Sequence, residues 1–174
     1  MAGSLNRIYI AVSLDGYVAT PDGGVEWLDA YQSEDFGYDE FFATIDTIVM
    51  GRSTYNQVLG FEDWPYSGKR SIVVTSRELS DAPPETEAFH GTPEELVQRL
   101  ARENTDVWVM GGAKLIQAFL NLNAISVMEL FVMPILLGGG VRLFEPMTSV
   151  RPVGLASAHS YPSGVVKLTY GIDN

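Results

Sequence analysis

Three short segments bring hydroxyls, guanidinium groups and glycines to places where a buried strand gives way to a helix or loop. In Met50-Gly51-Arg52-Ser53-Thr54 an apolar run ends at a glycine and a helix begins. Free amides at a helix N-terminus attract anions, and two hydroxyls and a guanidinium join them here. That combination suits a phosphate; in the plainer alternative Gly51 makes the turn, Ser53 caps the helix and Arg52 is a solvated charge. Thr75-Ser76-Arg77 repeats the hydroxyl and guanidinium theme after the next β-branched run, at a carboxyl end where open α/β sheets place ligands. Val109-Met110-Gly111-Gly112-Ala113-Lys114 ends a third strand in two glycines, which let backbone approach a ligand closely. It is neither the G-x-G-x-x-G fingerprint nor a P-loop.

Acid or base chemistry has fewer candidates. Asp35, Asp39 and Glu40 fall on or near one acidic helix, with Glu26 and Asp29 in the loop before it. Asp39 precedes Phe41-Phe42 and is expected to point toward an apolar pocket, with either Asp39 or water as the proton donor; the others read as solvated charge. Trp27 and Phe42 are the expected substrate-pocket residues, Trp27 lying in a loop context that frees it to stack on a flat ring. Cysteine is absent, which excludes disulfides, thiolate nucleophiles and zinc-thiolate sites, and neither His90 nor His159 has metal-ligand spacing.

The elements that position these segments follow from the apolar pattern. Leu5 to Ser13, Thr47 to Met50, Ser71 to Thr75, Val107 to Met110 and Ser126 to Pro134 read as strands, several apolar on both faces. Asp35 to Thr44, the stretch after Arg52, Thr92 to about Arg102 and Ala113 to Leu120 read as helices. The third has an N-cap Thr, Pro at its first position and early acids. Gly154 to Ser160 and Val165 to Gly171 form a terminal hairpin about Pro162-Ser163-Gly164. Strands alternating with helices predict an α/β fold with a mostly parallel central sheet, helices on both faces and a C-terminal antiparallel edge.

The chain has 174 residues, 46% of them hydrophobic, which predicts one domain over residues 1–174. No apolar run approaches the roughly 18 to 20 residues that span a bilayer, and Met1 to Arg7 lacks the pattern of a secretory leader, so a cytoplasmic location is expected. A net charge of −11 argues against nucleic-acid binding.

Ile10 to Ala19, Met50 to Tyr55, Met110 to Ala113 and Pro134 to Gly140 resemble, in order, the bacterial branch of the dihydrofolate reductase superfamily, related to the reductase domain of the bifunctional riboflavin-biosynthesis enzyme. The resemblance runs from about Asn6 to Tyr170 and implies a dihydrofolate reductase-like three-layer fold. It implies NADPH, with Ala11, Val18 and Ala19 by the nicotinamide and Gly51, Arg52, Ser53 and Thr54 on the phosphates. Thr75, Ser76 and Arg77 match the segment around the adenosine ribose and its 2′-phosphate. Met110, Gly111, Gly112, Ala113, Lys114, Leu115 and Ile116 match the segment after the central strand, whose Gly-Gly bond is cis in the family. Trp27 resembles the loop tryptophan near the substrate, and the acidic helix position matches Asp35, Asp39 or Glu40. Ile10 stands where the riboflavin-pathway reductase carries a Lys. The implied activity is NADPH-dependent hydride transfer to a small planar pterin- or pyrimidine-like heterocycle. The rivals are a ribosylamino-uracil reductase of riboflavin biosynthesis and an NADPH-binding protein without turnover. The resemblance also implies a homodimer paired through C-terminal strands.

Overall fold

A computed structural model describes residues 4–172 apart from residue 148; residues 1–3, read above for a leader, lie outside the described residues. The elements run β1 (Asn6–Ser13), β2 (Tyr17–Ala19), a 3-10 helix (Glu26–Tyr31), α1 (Tyr38–Ala43), β3 (Thr47–Gly51) and α2 (Arg52–Val58). They continue with β4 (Arg70–Val74), β5 (Thr86–Phe89), α3 (Pro93–Glu103), β6 (Val107–Gly111), α4 (Ala113–Asn121) and β7 (Val127–Met133). Last come β8 (Val141–Arg142), β9 (Gly154–Ser160) and β10 (Val166–Gly171).

Eight strands form one sheet in the order β5-β4-β3-β6-β1-β7-β10-β9. The pairs from β5 through β7 are parallel, and β7-β10 and β10-β9 are antiparallel. Alternate residues of the apolar strands feed opposite cores. Val49, Ile72, Val107 and Val109 join the layer of α3 and α4. Their neighbours Ile48, Met50, Val73 and Trp108 join the layer of α1 and α2. A strand buried on both sides must be apolar throughout, which is why these runs do not alternate.

The α3 start follows its sequence signature. The Thr92 hydroxyl accepts from the Glu95 amide, the Glu95 carboxylate accepts from the Thr92 amide, and Pro93 stands at the first position. The helix expected over Asp35 to Thr44 is shorter. Gly37 adopts φ 74°, and its amide donates to the Asp35 carboxylate at 2.8 Å, so a turn takes the residues before Tyr38. Two features escape the apolar pattern: the half-buried edge strand β5, and a separate ribbon pairing β2 with β8 through Tyr17–Arg142 and Ala19–Val141.

One charged cluster lies within the α1 layer. Glu129 is buried on β7 and receives both Arg7 and Lys167 at 2.8 Å. Tyr9 and Phe131 lie beneath the Lys167 ammonium, at 5.5 and 5.2 Å from ring centre to nitrogen. Among the described residues no helix is long and apolar enough to cross a membrane.

Candidate active site

The carboxyl ends of β1, β3 and β6 open into a long cleft, the position where parallel sheets of this kind receive ligands. Its inner part, about 630 Å³, is lined by Ala11 from β1 and by Val18 and Ala19 from the ribbon. Ser53 and Thr54 from α2, and Met110 to Ala113 at the β6-α4 junction, close the other side. An adjoining part of about 660 Å³ shares Ser53, Gly112 and Ala113 and adds Gly51, Arg52, Lys114 and Leu115. The structure thus gathers the glycine and hydroxyl segments of two separate strands around one space.

Local geometry explains the glycine at position 111. The Gly111-Gly112 peptide is cis, and Gly111 has φ 139°, a region that side-chain-bearing residues avoid. A β-carbon on Gly51 would lie 3.6 Å from the Gly112 nitrogen, so the β3 and β6 ends meet backbone to backbone. Gly112 leads into α4 with no side chain capping it, which leaves the first amides of that helix turned to the cleft. Arg52 and Lys114 add positive charge; the Arg52 guanidinium donates to Asn56 Oδ1 at 3.0 Å and to the Glu78 carbonyl at 3.1 Å.

The outer wall is held by Asp15. Its carboxylate accepts from the Ser13 hydroxyl at 2.6 Å and from the amides of Leu137 and Gly138 at 3.1 and 2.7 Å. The Ser13 hydrogen bond, reinforced by these amides, holds this carboxyl below its ordinary range. Gly140, at φ 141°, packs so closely on Ala19 that a β-carbon would overlap the Ala19 carbonyl oxygen. The Ser-Leu-Asp-Gly and triple-glycine segments are therefore two halves of one joint beneath the β2-β8 ribbon.

A second cavity of about 450 Å³ meets the cleft across Ile10, Ala11, Leu28 and Met110, which line both. Its walls are aromatic: Tyr9, Tyr31, Phe36, Tyr66, Trp108 and Phe131. Tyr9 stacks on Phe41 at 4.2 Å and leans on Phe131 at 4.6 Å, and its hydroxyl donates to the Phe36 carbonyl at 3.2 Å. Burial pushes the Tyr9 and Tyr66 hydroxyls well above the ordinary tyrosine range, with Glu129 adding to the effect on Tyr9, so both stay neutral. Gln32 and Glu34 are the amide and carboxylate on this wall, and Glu34 Oε2 is buried without a hydrogen-bond partner.

Several expected site residues lie elsewhere. Asp39 is exposed on α1 and does not line the pocket, because Phe41, two places on and so on the opposite face, is the residue that helix buries; the carboxylate on the pocket wall is Glu34, in the stretch before it. Trp27 packs outside this wall with Phe131, Met133 and Val165, while its neighbour Leu28 takes the pocket position on the 3-10 helix. Phe42 stacks on Tyr38 at 5.5 Å, under the Lys69 ammonium, behind the lining. Thr75, Ser76 and Arg77 follow β4 beyond Val74, which lines the cleft, but are not on its walls themselves. Ile116 is fully buried in the core and supports Gly111 from behind.

The pocket residues Tyr9, Glu34 and Phe131 were not singled out by sequence reading. Glu34 looks like its exposed acidic neighbours, and the two rings lie in strands that read simply as core.

The comparisons agree with this architecture. The chain is 34% identical over 161 residues to the uncharacterized protein YwjB of Bacillus subtilis (strain 168), covering 91% of this chain and 92% of the other. It superposes with a TM-score of 0.74 and 19% identity on the diaminohydroxyphosphoribosylaminopyrimidine deaminase/5-amino-6-(5-phosphoribosylamino)uracil reductase of Thermotoga maritima, covering 98% of this chain and 57% of that longer one. Dihydrofolate reductase of Enterococcus faecalis, solved with NADP(H) and RAB-propyl, matches with a TM-score of 0.70 and 20% identity over 99% of this chain and 98% of that one. The fold is thus dihydrofolate reductase-like, and with residues 7–167 matching the family model, the chain belongs to the RibD C-terminal domain family.

Proposed function

We propose that the protein is an NADPH-dependent reductase that transfers hydride to a small planar heterocycle of pterin or pyrimidine type. The observation that carries this reading is the shared wall: a glycine-lined cleft with cations at its outer part meets an aromatic pocket at Ala11 and Met110. A dinucleotide fits the cleft, since the Gly51, Gly111 and Gly112 backbones leave room for a close ligand and Arg52 and Lys114 oppose phosphate charge. Solution of the E. faecalis dihydrofolate reductase with NADP(H) on the same fold supports the cofactor. When bound, NADPH supplies the hydride.

The protein's own part is positional. Ala11 and Met110, with small or flexible side chains, let two flat rings approach each other. Tyr9, Phe36 and Phe131 hold the acceptor ring between preformed aromatic walls and keep water from it. Thr75, Ser76 and Arg77, just past the cleft wall, are the residues for an adenosine 2′-phosphate.

The test is NADPH oxidation across a panel of pterins, pyrimidines and quinones. Turnover with a pterin or pyrimidine is the expected result. Tight NADPH binding without oxidation by any of them sinks the reductase reading and leaves a cofactor-binding protein. Family membership favours a second reading, reduction of the ribosylamino-uracil of riboflavin synthesis, for which rescue of a riboflavin auxotroph is the test.

A further inference from the structure

We infer that Glu78 and His90 set how strictly the protein prefers a 2′-phosphorylated dinucleotide, protonated His90 neutralising a carboxylate that otherwise opposes the phosphate. The inference rests on the proposed dinucleotide site, whose outer part is bounded by Arg52, Val74 and Pro93. The Arg52 guanidinium donates to the Glu78 carbonyl at 3.1 Å, so the loop that carries Thr75, Ser76 and Arg77 is tied to a cation of the cleft itself. From the other side His90, half-exposed just past β5, reaches the same loop at two points.

The first contact fixes the hydrogens of the ring. His90 Nδ1 lies 2.8 Å from the Thr75 carbonyl, which can only accept, so Nδ1 is the donor and Nε2 is the nitrogen left to gain or lose a proton. Nε2 faces Glu78 Oε1 at 3.4 Å. Protonated, the two make an ion pair. Neutral, Nε2 offers a lone pair to a carboxylate that also has only lone pairs, and the exposed Glu78 side chain is free to turn away. A carboxylate beside the adenosine ribose accepts from a free 2′-hydroxyl, whereas an Arg accommodates a 2′-phosphate. Arg77 and Glu78 put both on one loop. With Glu78 held by His90, Arg77 acts on the phosphate unopposed; with Glu78 released, its charge repels the phosphate and suits the unphosphorylated ribose. The other charged groups around this end of the cleft are Arg77 on the same loop, Arg52 on α2, Lys114 on α4, and Glu95 on α3, which is held on the Thr92 amide at 2.8 Å. Histidine is the side-chain type among them whose charge changes near neutrality.

The probes are NADPH and NADH, titrated against the full chain by tryptophan fluorescence at low salt, from about pH 6.5 to about pH 8.5 across the range in which imidazole loses its charge. The preference for NADPH over NADH should fall about three- to fivefold over that interval, the size of one exposed charge interaction. The second ionisation of a phosphate monoester, near pH 6, works in the opposite sense by adding charge as pH rises, so a fall has to come from the protein. His90→Gln, whose amide can still donate to the Thr75 carbonyl, should give the low preference at every pH, and Glu78→Gln the high one. Thermal melts report whether each variant keeps its fold. In wild type, about 0.5 M salt should flatten the slope. A preference that does not fall in wild type, a slope untouched by salt, or a slope kept in folded His90→Gln overturns the inference; a part for His90 in merely bracing the loop would shift affinity and leave the slope. Because binding is read without a hydride acceptor, a pH-dependent preference with no oxidation of either dinucleotide would defeat the reductase reading alone. NADPH turnover with a flat preference would defeat this inference alone.

Discussion

The cleft and the aromatic pocket share a wall at Ala11 and Met110, yet they are built from opposite materials. The cleft's strand-end wall is largely backbone, with Gly51, Gly111 and Gly112, the uncapped α4 start and the cations Arg52 and Lys114, while Asp22 and Glu26 stand on its other side. The pocket is made of side chains, six aromatic rings with one amide and one carboxylate, resting on the Arg7-Glu129-Lys167 cluster, in which Glu129 is buried and the two cations are partly so. A surface of amides tolerates little change in residue type but asks little of the rest of the core. A surface of packed rings depends on everything beneath it, and so offers more ways to change specificity without changing cofactor.

The comparison can be broken most forcefully from below the pocket. Glu129→Leu leaves two cations facing each other in a largely buried place and should destabilise the fold by about 3 kcal/mol, read by denaturant unfolding. If the midpoint hardly moves, the cluster is not what supports the rings.

A smaller effect is expected on the cleft side. Gly111→Ala forces a β-carbon onto φ 139° and should cost about 1–3 kcal/mol of stability in denaturant unfolding, and it should weaken NADPH binding in titration while a pterin still quenches tryptophan fluorescence. Equal loss of both ligands would mean that the two regions are not separable.

The Asp15 joint gives a pH signature. Its carboxyl is held low in the folded chain, chiefly by the Ser13 hydroxyl, so its stabilising contribution is present above the unfolded value of about 4 and lost as pH falls through the folded one. Asp15→Asn should therefore lower Tm at neutral pH, with the gap from wild type closing on acidification below about pH 4. A gap independent of pH would place the effect elsewhere.

The smallest change is expected at Asp39, exposed on α1. Asp39→Asn should leave stability within about 0.5 kcal/mol and kcat unchanged. A steep fall in kcat with NADPH binding intact would restore Asp39 as the proton donor.

Much of this was legible in the residues. Ordered glycine motifs after apolar runs located the cleft, because a strand buried on both faces is apolar throughout and a tight exit needs a residue without a β-carbon. The Thr92-Pro93 start of α3 was legible for a similarly local reason: the cap closes within four residues. Expectations failed where a local pattern had two solutions. Asp35 and Gly37 end a turn where the acidic and aromatic periodicity also suited a longer helix, and the phase that buries Phe41 turns Asp39 outward.

By itself, then, the sequence determined the strand-helix alternation, the glycine junctions and the antiparallel end, because these rest on interactions between near neighbours and on the burial of whole strands. Only the tertiary structure decided which side chains face one another across the sheet. Tyr9, Trp108 and Phe131 come from three different strands, Phe36 and Glu34 from the connection before α1, and Leu28 rather than Trp27 turns inward. Strand order and the phase of one short 3-10 helix set those meetings, and neither leaves a mark in the spacing of the residues concerned.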